Sequence, residues 1–134
     1  MIGSNAFNYV NVLKKAADAS WKRNEVIANN IANVSTPGYK RKDIQFENYL
    51  RRELMKDYST DDDLNRRVAN VDLDRLGTRV YTDQSELSYR LDGNNVDTVT
   101  EMTNLIDATR SYEANVTAFN ATKNMLLKGL DVGS

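Results

Sequence analysis

Asp61, Asp62 and Asp63 set three carboxylates side by side. Oxygen ligands of this kind suit hard divalent cations, but calcium needs six to eight of them wrapped around it. No fold-back partner for the cluster is visible in the chain, so a solvated acidic loop is expected. "LDGNNVD", Leu91 to Asp97, is a second candidate. Counted from Asp92, Asn94 fits the third position of a calcium loop. Val96 then stands where the fifth oxygen belongs, glycine is absent from the sixth position, and Thr103 occupies the twelfth, where glutamate is required. Asp92-Gly93 reads instead as a turn.

Other chemistry is excluded by what the chain lacks. It has no histidine and no cysteine, so the commonest general base, the commonest metal ligand and all thiolate chemistry are missing. No serine or lysine lies in a nucleophile motif. Glycan hydrolysis needs two carboxylates held across a cleft, and the acidic residues concentrate in a loop with no cleft scaffold. The expectation is a protein that is not an enzyme and holds no cofactor or metal. With 18 basic and 19 acidic residues the formal net charge is −1, which gives no electrostatic footprint for nucleic acid. No apolar run approaches 18 residues, so no insertion into a membrane is expected. The N-terminus has no basic region followed by an apolar run, as a cleaved secretory signal would.

What remains is contact chemistry, and it gathers in "IANNIANVSTPGYKR", Ile27 to Arg41. Ile27, Ile31 and Val34 recur at helical spacing, yet Asn29, Asn30 and Asn33, poor helix formers, crowd the same turns. The chain holds 16 asparagines, which donate and accept hydrogen bonds without charge. The run stops at Thr36-Pro37-Gly38-Tyr39. Pro37 fixes φ, pushes Thr36 extended, and Gly38 tolerates positive φ, so a type II turn is expected.

The elements that carry this motif divide 134 residues into one domain of three segments. In 1–34 a long helix runs from about Asn5 to Asn33, with Val10, Leu13, Ala17, Ser20, Asn24, Ile27, Ile31 and Val34 in alternating steps of three and four. Residues 98–134 repeat the pattern through Met102, Leu105, Thr109, Tyr112, Val116, Phe119, Leu126 and Leu130, interrupted by Lys123. Asp97 or Thr98 starts this second helix, with "TVTE" as a capping box ending at Glu101. The middle, 35–97, is irregular: a short amphipathic helix at Glu47 to Lys56, a polar loop at "DYSTDDDLNRR", and β-prone residues at Val80 and Tyr81 and, alternating, at Leu87, Tyr89 and Leu91. The expected fold is dominated by α-helix. The terminal helices pair as an antiparallel coiled coil, and the irregular middle segment includes a short helix and a small β-hairpin. A single helix pair buries little, so the isolated chain is expected to be marginal.

"ANNIANVSTPGYKR" closely resembles the signature that ends the N-terminal helix in the bacterial flagellar rod and hook family. "SYEANVTAFNATKNMLLKGL", Ser111 to Leu130, is similar to the C-terminal counterpart. The resemblance implies a structural subunit of the basal-body rod, the drive shaft that carries torque from motor to hook, located in the cell envelope. It implies assembly with other copies and other rod proteins, contact with an adaptor at the MS ring and export gate, and delivery by the flagellar type III export apparatus. On this reading Asn29, Asn30, Ile31, Asn33, Thr36, Pro37, Gly38 and Tyr39 form an assembly and turn motif, the asparagines bonding to neighbouring subunits. Phe46 and Leu50 in "FENYL" match the family's Phe-x-x-x-hydrophobic export signal; packing against the chain's own helices is the other role open to them. "FENYL" and "LDGNNVD" are similar to one short proximal-rod branch, and the C-terminal helix to another. A cytoplasmic coiled-coil scaffold is the remaining class, and it would need a dimer stable on its own.

Overall fold

The computed structural model describes residues 2–56, 64–85 and 90–132. Two long helices bracket the chain: α1, Ile2–Ala32, and α4, Thr98–Val132. At 1.5 Å per residue they are about 46 and 52 Å long. They lie antiparallel, since Asn30 meets Glu101 while Trp21 meets Tyr112. Between them come β1 (Lys42–Ile44), α2 (Phe46–Met55), α3 (Leu64–Ala69), a single 3-10 turn at Leu73–Arg75, and β2 (Val80–Thr82). β1 and β2 pair antiparallel with Lys42 opposite Thr82 and Ile44 opposite Val80. The strands are therefore far apart in sequence, and α2 and α3 fill the connection. Asp61 to Asp63, Leu87 and Tyr89 lie outside the described residues, while Leu91, expected in a strand, is fully exposed in a turn.

The apolar core extends beyond the seam between the long helices, where Ile27 and Ala108 are buried. It continues on another face of α1, where Ala19 and Val26 pack with Ile44, Phe46, Val71 and Leu76, edged by Val12, Tyr49, Leu50 and Leu54. The middle segment thus supplies the burial that a helix pair alone lacks. α2 presents Phe46, Leu50 and Leu54 inward at helical spacing and keeps Arg51 and Arg52 in solvent. Glu53, on its inner side, is buried and satisfied: it bonds Lys56 Nζ at 2.6 Å and accepts from the Asp72 amide at 2.9 Å. Burial works against its charge, but these bonds and the nearby Arg75 outweigh that and hold its carboxyl below the usual range.

Against α1, α4 turns a face different from its most apolar one. Glu101 and Ala108 are buried, whereas Met102 is 46% exposed and Thr109 and Leu130 are exposed too. Met102 is corrected out of the inner seam. Leu105, Tyr112, Val116, Phe119 and Leu126 are half-buried, as are Leu13 and Ile31 on α1, and Ile27 is fully buried. The reason is at the start of α4. Glu101 is drawn inward by partners described below, and at 100° per residue this carries Met102 outward. The capping box does not form. Asp97 caps α4 alone, its Oδ1 accepting from the amides of Val99 at 3.0 Å and Thr100 at 3.3 Å.

Candidate functional site

The site begins at the end of α1. The Asn33 amide closes the last turn on the Asn29 carbonyl at 3.1 Å, and Tyr39 N–H bonds Thr36 O at 3.2 Å. Gly38 lies between them with φ +74°. The closing bond and the positive φ at the third residue are those of the type II turn expected for Thr36-Pro37-Gly38-Tyr39.

Just past the end of α1, one side chain gathers the carbonyls of the turn. Asn94 Nδ2 donates to Asn33 O at 2.8 Å, Thr36 O at 2.9 Å and Val34 O at 3.1 Å. Asn94 is itself held by an Asx turn: Asp92 Oδ1 accepts from its amide at 3.1 Å. The two loops are laced at the backbone as well, Gly38 N–H to Asp92 O at 2.7 Å and Asn95 N–H to Tyr39 O at 3.3 Å. Lys40 Nζ reaches Gly93 O at 2.6 Å. Gly93 has φ +77°, and a Cβ there would sit 3.8 Å from the Gly38 Cα. "LDGNNVD" is therefore a clasp on the turn after α1. Its oxygens serve protein donors: the Asp92 carboxylate takes Asn94 and Arg90, and Asn94 Oδ1 takes the Val96 amide.

Beneath the clasp lies a buried polar network. Asn30 has no exposed surface and uses all four hydrogen-bonding positions of its amide. Oδ1 accepts from Lys42 N at 2.9 Å and Tyr39 Oη at 3.0 Å; Nδ2 donates to Lys42 O at 2.8 Å and Glu101 Oε2 at 3.2 Å. Asn30 thus stands in for a neighbouring strand at the free edge of β1. Glu101, equally unexposed, receives Arg41 Nε at 2.6 Å. Arg41 also reaches Asp83 at 3.1 Å and Asp43 at 3.3 Å, while its amide bonds Asn95 Oδ1 at 2.6 Å. Asn95 Nδ2 holds Asp83 O and Ser85 O at 2.7 and 2.9 Å. Burial works against the Arg41 charge, but Glu101 and the two aspartates more than offset it and push its pKa up. Bonds from Ser85 and Arg41 keep the Asp83 carboxyl low. Burial and the Glu101 charge push the Tyr39 phenol up.

A second ion pair anchors the middle segment. Arg23 binds both oxygens of Glu47, at 2.5 and 2.6 Å. That fork lowers the Glu47 pKa and raises that of Arg23.

This arrangement corrects one expectation and extends another. Asn30 is not free to bond a neighbour, while Asn33 is half-buried. Asn30 is consumed internally, and Asn33 bonds Asn29 O at 2.8 Å and accepts from Thr36 Oγ1 at 3.1 Å. Asn29 is exposed, as are Thr36, Pro37 and Gly38, while Ile31 and Tyr39 are half-buried. Phe46 is buried and Leu50 packs on the same core. Arg41, Asp83, Asn94, Asn95 and Glu101 were missed as site residues. One signal for Glu101 was its place in the three-four row with Ala108 and Tyr112 that faces α1. Among the described residues no group of three or more His, Cys, Asp or Glu is placed to hold a metal ion, and no helix is long and apolar enough to cross a membrane. The site's groups bond one another, joining the end of α1 to the start of α4.

Comparison with known proteins gives matches at both ends. Residues 11–40 match the family model "Flagella basal body rod protein", and residues 87–132 match "Flagellar basal body rod FlgEFG protein C-terminal". Among curated relatives, the chain is 33% identical to the flagellar basal-body rod protein FlgC of Bacillus subtilis over 96% of its own length and 98% of the relative's. It is 36% identical to FlgB of the same organism over 85% of the chain and 86% of the relative. It is 29% identical to FlgB of Escherichia coli, covering 90% of the chain and 91% of that protein.

Proposed function

Since the chain belongs to the flagellar basal-body rod protein family, we propose that it builds the proximal part of the rod, where it carries torque through the joint between its terminal helices. It is a structural subunit of the basal-body rod, not an enzyme, and assembles with other rod subunits. The observation that carries the mechanical reading is the buried joint: Asn30, Arg41, Asn94 and Glu101 tie the end of α1 to the start of α4 through short, fully partnered bonds. Torque loads the contacts between segments. A joint of many bonds at one end resists bending better than a thin apolar seam, because each bond is directional and its loss leaves a buried polar group unsatisfied.

Both short rod branches, FlgB and FlgC, are similar to this chain over most of its length. "FENYL" and "LDGNNVD" favour the first and the C-terminal helix the second. We further infer delivery by the flagellar type III apparatus, with Phe46 and Leu50 as its signal, and docking onto an adaptor at the MS ring and export gate. The signal must act before folding, because both side chains pack on the core once the chain is folded. The test is genetic. Deleting the chain's gene should abolish the rod and swimming, and the wild-type gene should restore both. Restoration should fail with a chain lacking Leu126 to Ser134, which removes the end of α4. Normal rods in the deletion strain would end the reading.

A further inference from the structure

The two strands treat their outer edges differently. Gln45 N–H bonds Arg79 O at 3.2 Å, and Asp83 N–H bonds Arg41 O at 2.8 Å. These pairs flank the antiparallel ladder, along which hydrogen-bonded and non-bonded pairs alternate. Asp43 and Tyr81 are therefore the bonded pair within it. Lys42 and Ile44 on β1, and Val80 and Thr82 on β2, turn their N–H and C=O groups outward. On β1 that edge is closed: Asn30 takes both backbone groups of Lys42, and Asp43 Oδ1 takes the Ile44 amide at 2.7 Å. On β2 all three residues are exposed, and among the described residues nothing bonds the outward groups of Val80 and Thr82.

β2 also lacks the usual guards of a free edge. Val80, Tyr81 and Thr82 are β-branched or aromatic, and no proline, glycine or charge interrupts them. Val80 lies opposite Ile44 and Thr82 opposite Lys42, so these side chains share one face of the sheet. Beside that face runs a groove of about 390 Å³, with Lys22, Glu25, Asn29, Lys42 and Val80 in its walls. Lys22 Nζ pairs with Glu25 at 3.5 Å. Lys42 Nζ has no carboxylate partner among the described residues.

We propose that an extended segment of a neighbouring rod subunit adds to β2 as a third strand, carrying an aspartate or glutamate on the side that faces Lys42. The inference rests on the rod reading above, which supplies the neighbour, and it names the chemistry of the segment that docks. The edge itself selects the occupant. Outward donors and acceptors at strand spacing are matched by an extended backbone, whereas a helix uses its own within itself. A second β2 does not serve: two such edges would close a pair about a two-fold axis and bring both Lys42 side chains to one face. Lys42 stands across Thr82 from the incoming strand, where a carboxylate meets it without a competitor. β2 has 3 residues, so the pairing is weak alone. In a polymer already held together elsewhere it adds through effective concentration.

Two proline variants separate this edge from the sheet itself. At Val80 a proline removes only an outward N–H; at Tyr81 it removes one that bonds β1. Val80→Pro should keep a urea midpoint near wild type and lower the subunit recovered in basal bodies about fivefold or more, whereas Tyr81→Pro should lower the midpoint. Lys42→Glu should lower recovery to a similar extent. Arg51→Glu, the same charge reversal at an exposed position of α2, should leave it near wild type. A photo-crosslinking phenylalanine analogue replacing Tyr81, in purified basal bodies, should join a neighbouring subunit at a peptide with an aspartate or glutamate beside the linked residue. A crosslink confined to the same chain, no crosslink in assembled rods, or normal recovery of Val80→Pro or Lys42→Glu would each overturn the proposal. So would a midpoint that Val80→Pro lowers as far as Tyr81→Pro does, since the Val80 N–H would then be engaged within the chain. Rods that persist in the strain lacking the gene would fail the rod reading instead, so the two failures are distinguishable.

Discussion

Asn30 and Glu101, 71 positions apart, meet at 3.2 Å with no surface exposed on either residue. This contact joins the last turns of α1 to the first turn of α4. It leaves no spare capacity on the Asn30 amide, so any change there is felt by Tyr39, Lys42 and Arg41 through their shared bonds.

Asn30→Asp should therefore be among the most damaging single changes. It replaces a donor to Glu101 with a second carboxylate, in a site that excludes water. A loss of about 3 to 5 kcal/mol is expected at pH 7, as for an uncompensated buried charge. Urea unfolding of the purified chain measures it. A buried carboxylate introduced beside another charge is disfavoured in its ionised form, so the deficit should shrink in acid as the introduced carboxylate takes up a proton; a deficit independent of pH would show that geometry, not charge, is at fault.

Asn94→Ala tests the clasp. Val34 O loses its Asn94 donor, and Asn33 O and Thr36 O keep only the amides of Thr36 and Tyr39, so the expected cost is about 1 to 3 kcal/mol. Asn94→Asp should be no better, because a carboxylate cannot donate. Thermal melts of both variants should fall well below wild type, whereas Asn29→Ala, at an exposed position in the same motif, should melt near it.

Gly38→Val should impair stability and rod assembly more than Lys40→Ala. Gly38 lies at φ +74°, where a β-branched residue is strained by about 1 to 3 kcal/mol, although open space surrounds the position. Lys40 gives up one exposed bond to the Gly93 carbonyl. Motility on soft agar and urea midpoints should rank the variants alike. The opposite order would remove the turn from the account.

Acid should loosen the fold in a defined direction. The carboxyls of Glu47, Glu53 and Asp83 are all held below their ordinary values. A depressed folded pKa contributes stability that is present above the ordinary value and lost as the pH falls through the folded one. Unfolding midpoints should thus change little near neutrality and decline below 4.5, the ordinary glutamate value. Arg23→Met should make that decline shallower, since it removes the fork that lowers Glu47. An equally steep decline would show that Glu47 contributes little.

Phe46 and Leu50 separate export from packing. In a strain that cannot assemble rods, Phe46→Ala with Leu50→Ala should lower the secreted fraction severalfold at similar cellular levels. In the purified chain Phe46→Ala alone should cost about 3 to 5 kcal/mol, because its ring is buried in the core. Wild-type secretion alongside that loss would assign both residues to packing.

Much of the fold could be read from local pattern. The three-four rows place α1 and α4, "FENYLRRELM" places α2, and Pro37-Gly38 places the turn, because periodicity and fixed φ act within a few residues. The terminal motifs were legible as family signatures for the same reason: they are contiguous strings. What the string could not determine was which row of α4 meets α1. Apolar count alone favours the row through Met102, but the buried bonds of Glu101 to Arg41 and Asn30 turn the helix so that Glu101 faces inward. Those partners are 60 and 71 positions away, and only chain folding brings them within bonding distance. The same holds for the clasp, where Asn94 is an ordinary loop asparagine until the carbonyls of the turn after α1 stand beneath it. Directional bonds between distant segments, which leave no periodic trace, decided the rotation of α4.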